Sequence, residues 1–105
     1  MAWIDELFRR MVECGASDLH MTSGLRPCFR LHGEIVPIET CPAITPEQMH
    51  QVLLEITPER NRAEFEQCND SDFAYEIEGL ARFRANLFMD RNGVGAVFRQ
   101  IPSDV

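Results

Sequence analysis

Between Asp72 and Ile101 the chain alternates strictly enough to demand a sheet. In its central run Phe83, Ala85, Leu87 and Met89 fall on one side, and Arg82, Arg84, Asn86 and Phe88 on the other. A period of two is the mark of a strand with two different environments. Asn92-Gly93 follows, the strongest short signal for a hairpin, because both central residues of a type I′ turn need positive φ. As a two-residue loop, it sets Arg91 opposite Val94, Asn86 opposite Arg99 and Arg84 opposite Ile101. Val94, Ala96 and Phe98 then join the face of Phe83, Ala85 and Leu87. Arg84 and Arg99 become diagonal neighbours on the other face, about 7–8 Å apart at their bases.

The preceding run registers in the same way. Phe73, Tyr75 and Ile77 share the apolar face if Tyr75 lies opposite Phe83 and Glu78-Gly79-Leu80 forms the loop. Glu76 then faces Arg82, and Ala74 faces Arg84. Within these strands Arg82 has an acidic partner, whereas Arg84 and Arg99 have none. Two adjacent unpaired guanidinium groups repel each other unless an anion or an outside carboxylate comes between them. The residues leave two readings open, such an anion site or two solvated surface arginines. Phe88, Val97 and Ile101 share the arginine face. Apolar groups of that size call for a cover, supplied by a helix of this chain, another domain or another subunit.

Composition narrows the functional classes. The 105 residues are enough for one domain with a single core. A net charge of −7 argues against a general nucleic-acid binder. No apolar run approaches the roughly 18–20 residues of a membrane span. The N-terminus carries Asp5 and Glu6 rather than the basic start of a signal peptide. Cys14, Cys28, Cys41 and Cys68 are far apart and read as reduced thiols. With His20, His32 and His50 they make no metal-ligand spacing.

The rest of the chain reads as short elements. Trp3, Ile4, Leu7, Phe8, Met11 and Val12 mark an amphipathic helix that stops at Gly15. Ser17–Thr22, Cys28–His32 and Glu34–Ile38 read as strands, and Pro37 marks the last as an edge or a strand end. Thr45-Pro46-Glu47-Gln48 is a capping box with proline at the first helical position. Met49, Val52, Leu53 and Ile56 form the buried stripe of that helix. Thr57-Pro58-Glu59 starts another helix, which runs to about Cys68. The expected fold is α+β, with an antiparallel sheet of about six strands and three helices whose sheet has both faces partly covered.

Catalytic motifs are missing. The chain has neither a phosphate loop nor a G-x-G-x-x-G fingerprint. No serine or cysteine nucleophile has a base nearby. His20 beside Asp18 on one strand reads as a structural hydrogen bond. The expectation is that the chain alone catalyses nothing and holds neither a cofactor nor a metal.

Gly15-Ala-Ser-Asp-Leu-His20, Gly24-Leu25-x-Pro27, Arg30-x-x-Gly33, Asp72-Phe73, Ala81-Arg-Phe-Arg-Ala-Asn86 and Arg91-Asn-Gly-Val-Gly-Ala-Val-Phe-Arg-x-Ile-Pro102 succeed one another along nearly the whole chain. In order and spacing this resembles the N-terminal domain of PilT-type ATPases, the type IV pilus retraction motors of twitching motility. The chain departs from that pattern at Arg26 and Cys28. The resemblance implies a single PAS-like domain over residues 1–105, with a RecA-like ATPase domain to follow. It implies an intact ATPase using ATP and Mg as a homohexamer, in which this domain packs on the ATPase domain of a neighbouring subunit. It also implies an inner-membrane platform protein of the pilus as partner and a cytoplasmic place peripheral to that machine. On the matching motifs, Arg84 and Arg99 are the nucleotide phosphate contacts made in trans, and Phe88, Val97 and Ile101 belong to the subunit interface. The alternatives are a stand-alone PAS-like small-molecule sensor, or the same domain of a pilus extension or type II secretion ATPase.

Overall fold

A computed structural model of the chain describes residues 2–102. The elements run α1 (Asp5–Cys14), β1 (Asp18–Thr22), β2 (Cys28–Leu31), β3 (Glu34–Pro37), α2 (Pro46–Ile56), α3 (Glu59–Cys68), β4 (Asp70–Ile77), β5 (Ala81–Asp90) and β6 (Gly93–Ile101). The strands form one antiparallel sheet in the order β3-β2-β1-β6-β5-β4. The fold is α+β. β1 pairs with β6, so the first and last strands meet at the centre. β3 and β4 are the edges, and β4 turns Asp70, Asp72 and Glu76 to solvent.

Local chemistry accounts for the helix ends. Gly15 adopts φ +74° after α1, and the N–H of Ala16 reaches back to the Met11 carbonyl at 3.0 Å. Such a left-handed stop favours glycine. At α2 the Thr45 side chain accepts from the Gln48 N–H while the Gln48 side chain accepts from the Thr45 N–H, both at 3.2 Å. Thr57 does not cap α3 as its Thr-Pro pair suggests. Its hydroxyl instead donates to the Leu53 carbonyl at 2.6 Å, closing α2.

All three helices send their buried stripes into one cluster with Leu19, Met21, Phe83, Ala85, Leu87, Ala96 and Phe98. Phe8 of α1 is the hub. Its ring stacks on Phe83 at 4.4 Å, meets Phe98 edge-on at 4.9 Å and lies 5.5 Å from Tyr75. The Tyr75 hydroxyl donates to Asp5 Oδ1 at 2.6 Å and ties α1 to β4. Trp3 departs from the expected stripe. It lies before the helix and is 48% exposed.

Because the helices share one side, the sheet has a helix-free face among the described residues. The expectation that both faces would be partly covered is therefore wrong for the helices of this chain. The β4–β5 register agrees with the sequence reading: Tyr75 faces Phe83, Glu76 faces Arg82 and Ala74 faces Arg84. The β5–β6 register does not. Asp90 pairs with Gly93, so Arg91-Asn92 is the loop and Arg84 lies directly opposite Arg99.

The turn explains the difference. Neither Arg91 nor Asn92 has positive φ; that burden falls on Gly93, at +130°. Asp90 Oδ1 accepts from the Asn92 N–H at 2.8 Å. Aspartate first and glycine fourth is the residue pattern of a type I turn, and the aspartate bond stabilises it. The slip is two residues along β6, so every side chain keeps its face.

Candidate functional site

The helix-free face is organised by one row that crosses the sheet. Ala74, Arg84, Arg99, Asp18 and Arg30 are successive cross-strand partners on β4, β5, β6, β1 and β2. The alternation of each strand puts these side chains outward, opposite the core residues that flank them. Arg84 and Arg99 are direct neighbours, with Cβ atoms about 4.5–5.5 Å apart. Together with Asp18, Asp72, Asn86 and Val97 they line a shallow depression of about 320 Å³.

Both arginines have carboxylate partners, which corrects the expectation that they stand unpaired. Arg99 Nη2 donates to Asp18 Oδ2 at 3.2 Å, and Arg84 Nη2 lies 3.8 Å from Asp72 Oδ2. Asp18 comes from β1, whose place beside β6 no local pattern reveals. Asp72 sits diagonally from Arg84, opposite Asn86. Asn86 Nδ2 donates to the Asp70 and Asp72 carboxylates at 3.2 and 3.3 Å. Glu76 and Arg82 do face each other, but no ion pair joins them among the described residues.

The two pairs differ in depth. The side chains of Arg84 and Asp72 are 71% and 51% exposed, whereas Arg99 is 72% exposed over an Asp18 side chain that is only 5% exposed. Burial alone raises the pKa of Asp18. Hydrogen bonds from Ser17 and Arg99, the Arg99 charge and, last, His20 outweigh that and hold it below the usual carboxylate value. Arg30, on the far side of Asp18, is turned away and donates to the Gly33 carbonyl at 3.2 Å. The predicted bond between His20 and Asp18 does not form; His20 Nε2 is buried without a partner.

The apolar trio is also rearranged. Phe88, Val97 and Ile101 are all half-buried. The Phe88 ring lies over Gly95, where an added Cβ would come within 2.6 Å of Phe88 Cζ. Val97 lines the depression, while Ile101 lies beyond the Arg84–Arg99 row, opposite Arg82. The three do not make one apolar patch, because the arginine row divides them. Part of the covering that these apolar groups call for comes from Phe88 packing on its own sheet.

Chemically, each guanidinium keeps donors free. Arginine has five N–H groups in a planar fork, and one Nη of Arg99 is engaged with Asp18. The exposed remainder can take an anion or a partner's carboxylate. Among the described residues no cluster of His, Cys, Asp and Glu could hold a metal ion, and all four cysteines are free thiols. Among the described residues no helix is long and apolar enough to cross a membrane.

Fold and site thus define an α+β domain that presents a charged, helix-free sheet face. Comparison with known proteins gives the class a family. The chain is 41% identical over 102 residues to the type IV pilus retraction ATPase PilT of Pseudomonas aeruginosa, a match covering 97% of this chain and 29% of that protein. It is 36% identical over 101 residues to the type IV pilus ATPase PilU of the same organism, covering 96% of this chain and 26% of PilU. The crystal structure of the pilus retraction motor PilT with bound ADP superposes with a TM-score of 0.89 at 32% identity, over 100% of this chain and 30% of that one. The Legionella pneumophila ATPase DotB shares the fold at a TM-score of 0.82 and 18% identity, over 96% of this chain and 29% of that one. No protein-family model matches the chain. The chain belongs with the N-terminal domains of PilT-type ATPases. It spans less than a third of the length of these relatives.

Proposed function

We propose that this domain serves a type IV pilus motor ATPase by bringing Arg84 and Arg99 to a nucleotide held by a neighbouring subunit. In this reading the domain acts with a RecA-like ATPase domain, in a homohexamer that binds ATP and Mg. The helix-free face, with Phe88, Val97 and Ile101, packs on the ATPase domain of the neighbour. Closure brings the two guanidiniums to the phosphates, where they stabilise charge developing at the transferred group. Ring closure then couples ATP hydrolysis to pilus disassembly and twitching motility, on the cytoplasmic side of the inner-membrane pilus platform.

One observation carries the reading: two arginines stand side by side on the helix-free face of a domain that matches PilT along nearly its whole length. Their carboxylate partners do not exclude it. Exposed pairs such as Arg84–Asp72 contribute about 0–1 kcal/mol, and a phosphate competes easily with that. The alternative, the same domain in a pilus extension or type II secretion ATPase, gains only a shared fold from the DotB likeness. The small-molecule sensor is disfavoured because Phe8, fully buried among Phe83, Phe98 and Tyr75, fills the space between helix and sheet.

A chimera tests the proposal. The matched segment of the Pseudomonas aeruginosa retraction ATPase is replaced by this chain, and ATP turnover is measured. Arg84→Ala and Arg99→Ala should each lower kcat at least tenfold, a conservative floor because an arginine that stabilises charge in phosphoryl transfer contributes about 10³–10⁵ in kcat. Wild-type turnover in both variants removes the role in trans. The 105-residue chain alone should neither hydrolyse ATP nor bind it in the micromolar range by calorimetry.

A further inference from the structure

Within the proposed site, the two arginines are not equivalent. Arg99 is fastened to a carboxylate that is almost wholly buried, at 3.2 Å. Arg84 faces an exposed carboxylate at 3.8 Å. We infer that Asp18 is the positioning residue of this cleft: it holds Arg99 as a fixed post, while Arg84 is the arm free to change partners.

The reason is the asymmetry of desolvation. A buried carboxylate left without its countercharge is strongly unfavourable, and removing one partner exposes that penalty in full. Asp18 is flanked by Arg99 on β6 and Arg30 on β2, with Ser17 and His20 along its own stretch of chain. Arg84 stands one strand beyond Arg99. Arg30 is occupied by the Gly33 carbonyl, and His20 makes no bond to the carboxylate. Arg99 is therefore the counterion Asp18 depends on. It cannot leave for a phosphate without leaving Asp18 buried with no countercharge and only the Ser17 hydrogen bond, so it must meet a ligand with the donors Asp18 does not use. Arg84 leaves only Asp72 behind, and Asp72 is solvated and already accepts from Asn86.

This inference rests on the proposed function for its role, but the clamp itself is tested separately on the 105-residue chain. Thermal unfolding at pH 7 is measured for Arg84→Ala, Arg99→Ala, Asp18→Asn and the double variant Asp18→Asn/Arg99→Ala. Arg99→Ala should lower the Tm by about 5–10 °C, which corresponds to roughly a tenfold loss in the folded-to-unfolded ratio. Arg84→Ala should stay within about 2 °C of wild type, as an exposed pair does. The double variant should recover most of the loss. The Arg99 Nε–H resonance should exchange more slowly than that of Arg84, and Asp18→Asn should abolish the difference; a merely structural Asp18 would not move that signal. Equal Tm losses in the two arginine variants overturn the inference. So does a double variant as unstable as Arg99→Ala, or an Arg99 signal indifferent to Asp18→Asn. If Arg99→Ala does not fold, the double variant must fold, or the clamp is refuted. In the chimera, Asp18→Asn should lower kcat severalfold with KM for ATP little changed. If Arg84→Ala and Arg99→Ala leave chimera turnover unchanged while the unfolding series behaves as expected, the proposed function fails and the clamp stands.

Discussion

Gly95 is the position where a single carbon should do the most damage to the sheet. It lies on β6 between β1 and β5, at the centre of the strand order. A Cβ placed there would come within 2.6 Å of Phe88 Cζ and 2.7 Å of the Met21 carbonyl oxygen. These two contacts differ in kind. The ring can swing aside, but the carbonyl belongs to the backbone of β1, and β1 pairs with β6 over five residues. Relief requires β1 and β6 to part by several tenths of an ångström, at the seam where the two halves of the sheet are joined. Overpacking of this kind typically costs about 1–3 kcal/mol, and the upper half of that range applies because backbone must move. For a domain of this size each kcal/mol shifts the Tm by roughly 4–8 °C, so Gly95→Ala should lower it by about 10–20 °C. The assay is thermal unfolding by circular dichroism, paired with Phe88→Ala and the double variant. Phe88→Ala should not rescue Gly95→Ala, because the carbonyl contact remains. A Gly95→Ala chain within 2 °C of wild type, or one fully rescued by Phe88→Ala, would refute the argument.

Other perturbations follow from the packing. Phe8→Ala removes the ring shared by Phe83, Phe98 and Tyr75 and should cost about 3–5 kcal/mol in urea unfolding. Thr45→Ala loses the capping box of α2 and should cost about 0.5–2 kcal/mol in the same assay. Burial, then the Asp5 bond, raises the Tyr75 pKa above its usual value. A raised pKa gives stability that is present below the unfolded value, about 10, and lost as pH rises beyond it. The wild-type Tm should therefore fall more steeply above pH 10 than that of Tyr75→Phe. Asp18 has the opposite sign: its lowered pKa gives stability that is present above about pH 4 and lost as pH falls further. Acid unfolding of Asp18→Asn should thus be less steep than that of wild type.

The residues that alternate cleanly were readable in advance. The β4–β5 register, the face of every residue on β5 and β6, and the capping box of α2 all follow from local pattern. The hairpin register did not, because two turn types compete for Asp90-Arg91-Asn92-Gly93. Asparagine next to glycine favours one, aspartate three residues before glycine the other, and the second prevails. The arginine pair was found on its correct face, yet its carboxylates were missed. Asp72 needed only a diagonal to be considered. Asp18 needed knowledge that β1 inserts beside β6, far away in sequence. Such a long-range pairing is decided by how the whole sheet closes over α1, and no window of neighbouring residues carries it. Trp3 fitted the apolar periodicity and still lies outside its helix, because the chain turns into α1 only at Asp5.

The margins of the sheet carry a consequence for solubility. A free strand margin invites a second copy to extend it by backbone pairing. On one side β3 is four residues long and ends at Pro37, which has no N–H to offer. On the other, β4 is eight residues long but bears Asp70, Asp72 and Glu76. Two such margins brought together would set carboxylates against carboxylates, in a chain already carrying a net charge of −7. Like-charge repulsion therefore opposes strand addition at the longer margin and a missing donor weakens it at the shorter, which disfavours growth of copies into a continuous ribbon.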